Sequence, residues 1–152
     1  MTTSRFSREI PVPVDYARSI ARDFGNYRLF TSGRGDACIE GGMRGDTVGA
    51  IRNATLNGVT VRQRLLAHSD AERFYRHEFC GQPPFPVENF VATLQLKPNL
   101  PSGSALLDWS AHFDAPPGES ETMKRRLENS FAGWAASLEA FILESMALDA
   151  AS

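Results

Sequence analysis

The chain is poor in cysteine, with only Cys38 and Cys80 in 152 residues. Two cysteines do not make a disulfide framework, so free thiols and a reducing, cytoplasmic setting are expected. Long apolar runs are lacking too. No uninterrupted stretch approaches the ~18 residues that would span a bilayer. Residues 1–8 are polar and hold no apolar signal core, so membrane insertion is not expected. Charge of one sign is also scarce, with 16 basic against 18 acidic residues and no long basic run. That leaves nucleic acid without an electrostatic footprint. Metal-ligand spacing is absent, since His68, His77 and His112 fall on separate strands or turns. The glycines between 41 and 49 are not followed by the Gly-Lys-Ser/Thr of a phosphate loop. Neither a metal nor a cofactor is therefore expected. Repeats and low-complexity segments are missing. Three short motifs are set aside: Arg34-Gly35-Asp36, the sequon Asn53-Ala54-Thr55, and His68-Ser69-Asp70, whose side chains point apart on a turn.

What is present is an ordinary globular balance, 42% hydrophobic and 22% charged. The length suits one domain, taken as residues 1–148 with a frayed tail at 149–152. A compact chain of this mass exposes roughly 7,600 Å², enough burial for a core without staples.

The order of elements carries most of the information. Residues 4–12 alternate as a first strand, closed by Pro11 and Pro13, which lack amide donors. A helix over 14–24 follows, burying Tyr16, Ile20 and Phe24, and Gly25 stops it. Residues 26–30 read as another short helical turn. Strands are then expected at 37–40, 47–56, 59–67, 73–79, 90–96 and 105–113. Asn57-Gly58 is a hairpin signal, and the proline-rich segment 81–86 is a loop. A long amphipathic helix closes the chain, favoured at its start by Glu119 and Glu121. Met123, Leu127, Phe131, Trp134, Leu138, Phe141, Ile142 and Met146 make its apolar stripe. Sequential short strands imply an antiparallel sheet and an α+β domain with its helices on one face. A curved sheet on one bulky helix tends to enclose a pocket.

Period-two alternation assigns faces. Leu107, Trp109, Ala111 and Phe113 point to the helix, with Asp108, Ser110, His112 and Asp114 to water. Phe90, Ala92, Leu94 and Leu96 point in, as do Val61, Gln63 and Leu65, and Tyr75, His77 and Phe79. Phe74 is then left outside beside Arg76 and Glu78. Val48, Ala50 and Arg52 share one face of their strand.

The segments "REIPVPVDYARSIARDFGNY", "GDTVGAIRNATLNG", "VRQRLLAHSDAERFYRHEF", "PFPVENFVATLQLKP", "LLDWSAHFD" and the closing helix occur in an order that resembles the START-like (SRPBCC, helix-grip) superfamily. That superfamily includes plant pathogenesis-related proteins and abscisic-acid receptors, and the chain is most similar to its polyketide cyclase/dehydratase-like branch. The resemblance implies a seven-stranded antiparallel sheet gripping the C-terminal helix around a largely apolar cavity. It also implies that Arg52 points inward and that the 81–86 loop and the 33–35 turn flank the mouth. Similar sequences often carry Glu where this chain reads Gln63-Arg64-Leu65, a departure that removes the most obvious general base.

An apolar cleft containing Arg52, Gln63, Tyr75 and His77 has a defined chemistry. A buried guanidinium needs a carboxylate, water or a ligand oxygen. His77 can act as acid or base near neutrality, and Tyr75 can donate to a ligand oxygen. Each also reads as ordinary packing: His77 as a sheet histidine, Tyr75 and Trp109 as core aromatics, Arg52 as an edge ion pair. The expected ligand contacts are Arg52, Gln63, Tyr75, His77, Phe90, Trp109, Phe131, Trp134 and Leu138. Three functions fit. The first is binding of a hydrophobic, aromatic or polyketide-like small molecule. The second is a cyclase/dehydratase or isomerase in which Arg52 steadies an enolate-like oxygen, His77 moves a proton and Tyr75 assists. The third is an interaction module with a collapsed cavity, whose exposed Phe74 and 83–86 loop meet a partner or a second copy in a homodimer. A cavity below the size of a small ring favours the third.

Overall fold

In the computed structural model, which describes residues 1–151, the chain runs β1 (Thr2–Pro13), α1 (Val14–Ala21), β2 (Asp36–Ile39), β3 (Ile51–Leu56), β4 (Val59–Ser69), β5 (Phe74–Phe79), β6 (Glu88–Asn99), β7 (Ser104–Asp114) and α2 (Ser120–Ala151). Tyr27–Phe30 and Glu40–Gly42 form 3-10 turns. The strands make one antiparallel sheet in the order β1-β7-β6-β5-β4-β3-β2. This is a helix-grip α+β fold. Every neighbour except β1–β7 is consecutive in sequence, which short turns such as Asn57-Gly58 permit. Both turn residues have positive φ, 53° and 78°, as a tight hairpin requires. Register shifts in β1 after Ile10, in β4 after Leu65 and in β6 after Glu88 add local twist and bend. Pro11 sits inside β1 instead of ending it, because β1 is an edge strand with only β7 to pair.

The concave face and α2 share one core. Ala105, Leu107, Trp109, Ala111 and Phe113 of β7 and Ala92, Leu94 and Leu96 of β6 are buried against Met123, Leu127, Phe131, Ala135, Leu138 and Ile142. The accessible surface is 7989 Å², close to the value for a compact chain of this mass. On the convex side Asp108 is also buried, beneath Arg5 (2.9 Å) and Lys97 (3.2 Å). α2 is long and apolar enough by length and composition to cross a membrane. Its apolar stripe faces the sheet.

Several local expectations are corrected. Phe141 is 43% exposed and leaves the stripe, and Ala135 takes the inward position. β3 begins at Ile51, because Gly49 adopts φ 94°, outside strand geometry, and Val48 is exposed. α1 ends at Ala21 and buries Val14, Ala17, Arg18 and Ala21, while Tyr16 and Ile20 are only partly covered. The chain turns at Asp23, whose carboxylate accepts from Gly25 N at 2.8 Å, while Phe24 N donates to Gly45 O at 3.1 Å. Phe74 is half-buried, with the Arg76 guanidinium 5.3 Å over its ring, so it offers no bare apolar surface. α2 continues through Ala151 where a tail was expected, and Ser152 lies outside the described residues. Both cysteines are free thiols.

Candidate functional site

Between the sheet and α2 a cavity of about 50 Å³ remains. Its wall is Tyr27, Phe30, Arg52, Gln63, Tyr75, His77, Phe79, Phe85, Phe90, Ala92, Trp109, Phe131 and Trp134. One side is an aromatic stack. Trp109 of β7 lies parallel to Phe131 of α2, with centroids 5.4 Å apart and a 13° interplanar angle. Trp134 and Phe30 close on the same indole at 5.4 and 5.2 Å. Another side is a cluster of Phe79, Phe85 and Phe90 with centroids 5.0–5.7 Å apart, in which Phe85 meets both neighbours edge-to-face and Phe79 and Phe90 are tilted at 43°. Such contacts fix ring orientation beyond what area burial does. Phe85 reaches in from the loop between β5 and β6, and Arg126 of α2 lies 5.6 Å over its ring.

The polar end is made by facing residues of adjacent strands. Arg52 and Gln63 are register partners in β3 and β4, and Leu65 of β4 is paired with His77 of β5. Arg52 is only 3% exposed. Its Nε donates to Gln63 Oε1 at 2.9 Å, its Nη2 donates to the same oxygen, and its Nη1 donates to the Phe24 carbonyl at 3.0 Å. The guanidinium is flanked by rings, 4.1 Å from the Phe24 centroid and 5.1 Å from that of Tyr27. Its partners are thus amide oxygens and π faces, and no carboxylate is among the described residues of the wall. Burial pushes the Arg52 pKa down, offset in part by the Tyr75 and Tyr27 hydroxyls. Burial also pushes Tyr75 up, against the pull of Arg52.

His77 is 6% exposed and packs its ring 5.5 Å from Phe24 and 6.1 Å from Tyr75. Burial, reinforced by the Arg52 charge, holds its pKa well below the usual histidine range. The ring is therefore neutral at physiological pH. His77 Nδ1 and Trp109 Nε1 are both buried with no hydrogen-bond partner. Native cores leave few such atoms.

Chemically, the arrangement offers a cationic donor in Arg52, a neutral base in His77 whose Nδ1 has no partner, and a partnerless indole N–H on Trp109, all in an aromatic box. Of the residues expected as ligand contacts, Arg52, Gln63, Tyr75, His77, Phe90, Trp109, Phe131 and Trp134 meet on this wall. Leu138 is buried in the core behind it and is not part of the wall. Gly33 lies elsewhere, in a surface groove with Ser137 and Phe141. Phe79 and Ala92, expected to point inward, and Tyr27, Phe30 and Phe85, not expected there, complete the wall. The available signal for Phe85 was a single aromatic between Pro84 and Pro86, an apolar residue in a loop with no strand to place it.

A family model described as polyketide cyclase / dehydrase and lipid transport matches residues 1–140. No curated protein matches the chain in sequence. Among solved structures, the chain is similar to the protein XoxI from Bacillus cereus, with a TM-score of 0.79 and 21% identity over 96% of this chain and 99% of that one. It is similar to a Thermobifida fusca protein with a TM-score of 0.81 and 22% identity over 93% of each chain. A Nitrosospira multiformis protein aligns with a TM-score of 0.71 and 25% identity over 90% of this chain and 95% of that one. These likenesses establish a shared fold.

Proposed function

The chain belongs to the polyketide cyclase / dehydrase and lipid transport family, and from that premise we propose that it binds a hydrophobic, aromatic or polyketide-like small molecule between sheet and α2. One observation carries this reading: Arg52, 3% exposed, is held among aromatic rings by neutral acceptors only. Replacing a buried ionic group with a well-packed apolar one is often neutral or stabilising. A cavity selected merely to be filled would have no use for Arg52 beside an unpartnered His77. A ligand oxygen against Arg52 gives the charge its missing partner, and planar rings of the ligand fit an aromatic box.

The volume favours a different reading. About 50 Å³ is below the ~150 Å³ of a cavity that takes up benzene, which is what an interaction module with a filled interior would present. The partnerless polar atoms of the wall weigh against it, since packing alone gains nothing from them. Catalysis of cyclase/dehydratase or isomerase type has one supporting feature. A neutral His77 can take a proton while Arg52 steadies the resulting oxyanion and Tyr75 donates beside it. Besides His77 the described residues of the wall carry no carboxylate and no second histidine, only the phenols of Tyr27 and Tyr75, so binding ranks first.

Native mass spectrometry of freshly purified protein tests the reading. A retained small molecule, lost in Arg52→Ala, is the expected result. A clean apo mass, together with no amide shift changes when aromatic acids or amides are titrated in, overturns it. His77→Gln then separates carrier from enzyme: a carrier still retains its ligand, at most held more weakly, and an enzyme loses turnover.

A further inference from the structure

The charge balance of the cavity specifies its occupant more narrowly. We propose that the site selects monoanions bearing a planar carboxylate-like oxygen pair, and that Gln63 is the residue that sets this charge preference. This rests on the binding function proposed above.

The argument is an accounting of charge and donors. Arg52 contributes one positive charge, and the other polar residues of the wall are Gln63, His77, Tyr27, Tyr75, Trp109 and Trp134. A guanidinium has five N–H groups. Gln63 Oε1 takes one from Nε and one from Nη2, and the Phe24 carbonyl takes one from Nη1. Two remain beyond these carbonyl acceptors, one on each terminal nitrogen, and the Tyr75 hydroxyl hydrogen-bonds the guanidinium as well. A carboxylate has two oxygens to take both N–H groups, with Tyr75 turned to donate to it.

Gln63 is buried and occupies the position from which one oxygen meets two guanidinium nitrogens. Glu is nearly the same shape. At that position it would neutralise Arg52 from within and leave no charge for a ligand to meet. The amide holds the guanidinium in place without cancelling it. A neutral occupant then leaves one uncompensated charge in a low-dielectric box, and a dianion leaves one of the opposite sign. Only a monoanion closes the balance.

The test uses two matched probe pairs, benzoate with benzamide and 2-naphthoate with 2-naphthamide, titrated calorimetrically at pH 7.5 into wild-type protein and Gln63→Glu. Thermal unfolding monitors the fold of each. In wild type at least one carboxylate is expected to bind tenfold or more tighter than its amide. In Gln63→Glu the carboxylate weakens at least tenfold and the amide changes less than threefold. An amide that binds wild type as tightly as its acid overturns charge selection while leaving the binding function standing. A carboxylate preference that survives Gln63→Glu overturns the role of Gln63. Binding of none of the four probes overturns this proposal, while the binding function stands or falls with the native mass measurement. If Gln63→Glu does not fold, the wild-type comparison still decides charge selection, and Arg52→Met, expected to lose the preference, replaces the variant.

Discussion

Arg52 and Gln63 act as a unit, and their energetics follow from what each leaves behind when the other is removed. Gln63→Leu strips two hydrogen bonds from a buried cation and is expected to cost about 2–3 kcal/mol. Arg52→Met leaves Gln63 Oε1 and the Phe24 carbonyl without donors and should cost about 1–2 kcal/mol. The double variant Arg52→Met/Gln63→Leu removes both problems except the carbonyl, so it should be more stable than Gln63→Leu alone. Urea unfolding of the three variants measures the coupling, and simple additivity of the two costs would refute it. His77 gives a prediction in pH. Above about pH 6.5 the ring is neutral in folded and unfolded chains alike. Below that, the unfolded chain takes up a proton that the buried ring refuses, so stability declines from about pH 6.5 down to the depressed folded value and then levels off. His77→Gln lacks this contribution, and its unfolding free energy should fall less steeply between pH 7 and pH 5. Equal slopes would mean that His77 titrates normally. At this scale the sequence showed which polar residues point inward, because strand alternation is strict. It did not show that Phe24 supplies a carbonyl to Arg52, because that contact depends on where α1 stops.

At the scale of elements, α2 separates two residues that the periodicity treated alike. Leu138 and Phe141 both fit the apolar stripe, yet one is wholly buried and the other 43% exposed. Leu138→Ala should therefore cost about 2–5 kcal/mol, and Phe141→Ala less than about 1 kcal/mol, by thermal or chemical denaturation. Similar costs would mean that the helix is rotated from the position described. The stripe itself was legible because positions 123, 127, 131, 134, 138 and 142 keep one face of a 3.6-residue period. Its width was not, since that depends on how far the sheet curls around the helix. A similar limit applies to the turn after α1. Periodicity carried the helix on to Phe24, but the turn is fixed by a close approach: a Cβ on Gly45 would fall 1.9 Å from Asp23 Oδ1. Gly45→Ala must displace the carboxylate that accepts from Gly25 N. A loss of about 1 kcal/mol is expected, largely abolished in an Asp23→Ala background. An equal loss in both backgrounds would place the cost elsewhere.

At the scale of the molecule, the pairing of consecutive strands followed from turn signals, but the closing β1–β7 pair, which no turn joins, and the size of the hollow between sheet and helix did not. A cavity volume is a small difference between large packed volumes, and one ring from a loop can change it. Here that ring is Phe85. Its removal is expected to be tolerated, because it is half-buried and held by Phe79 and Phe90 on one side and Arg126 on the other, with no strand behind it. Phe131, fully buried and stacked on Trp109, is a different case, and Phe131→Ala should cost about 3–5 kcal/mol. If the contracted cavity of about 50 Å³ admits ligands by displacement of the loop aromatic, Phe85→Ala opens the site permanently. Stopped-flow measurements with 2-naphthoate, following tryptophan fluorescence from Trp109 and Trp134, should then show association about tenfold faster than in wild type. The fluorescence change at saturation should persist, since both indoles remain on the wall. Dissociation should quicken as well, because the same ring that slows association also covers the bound ligand. Unchanged association in a folded Phe85→Ala variant would mean that ligands reach Arg52 by another route, with the Tyr27–Phe30 turn as the remaining wall segment outside the sheet and α2.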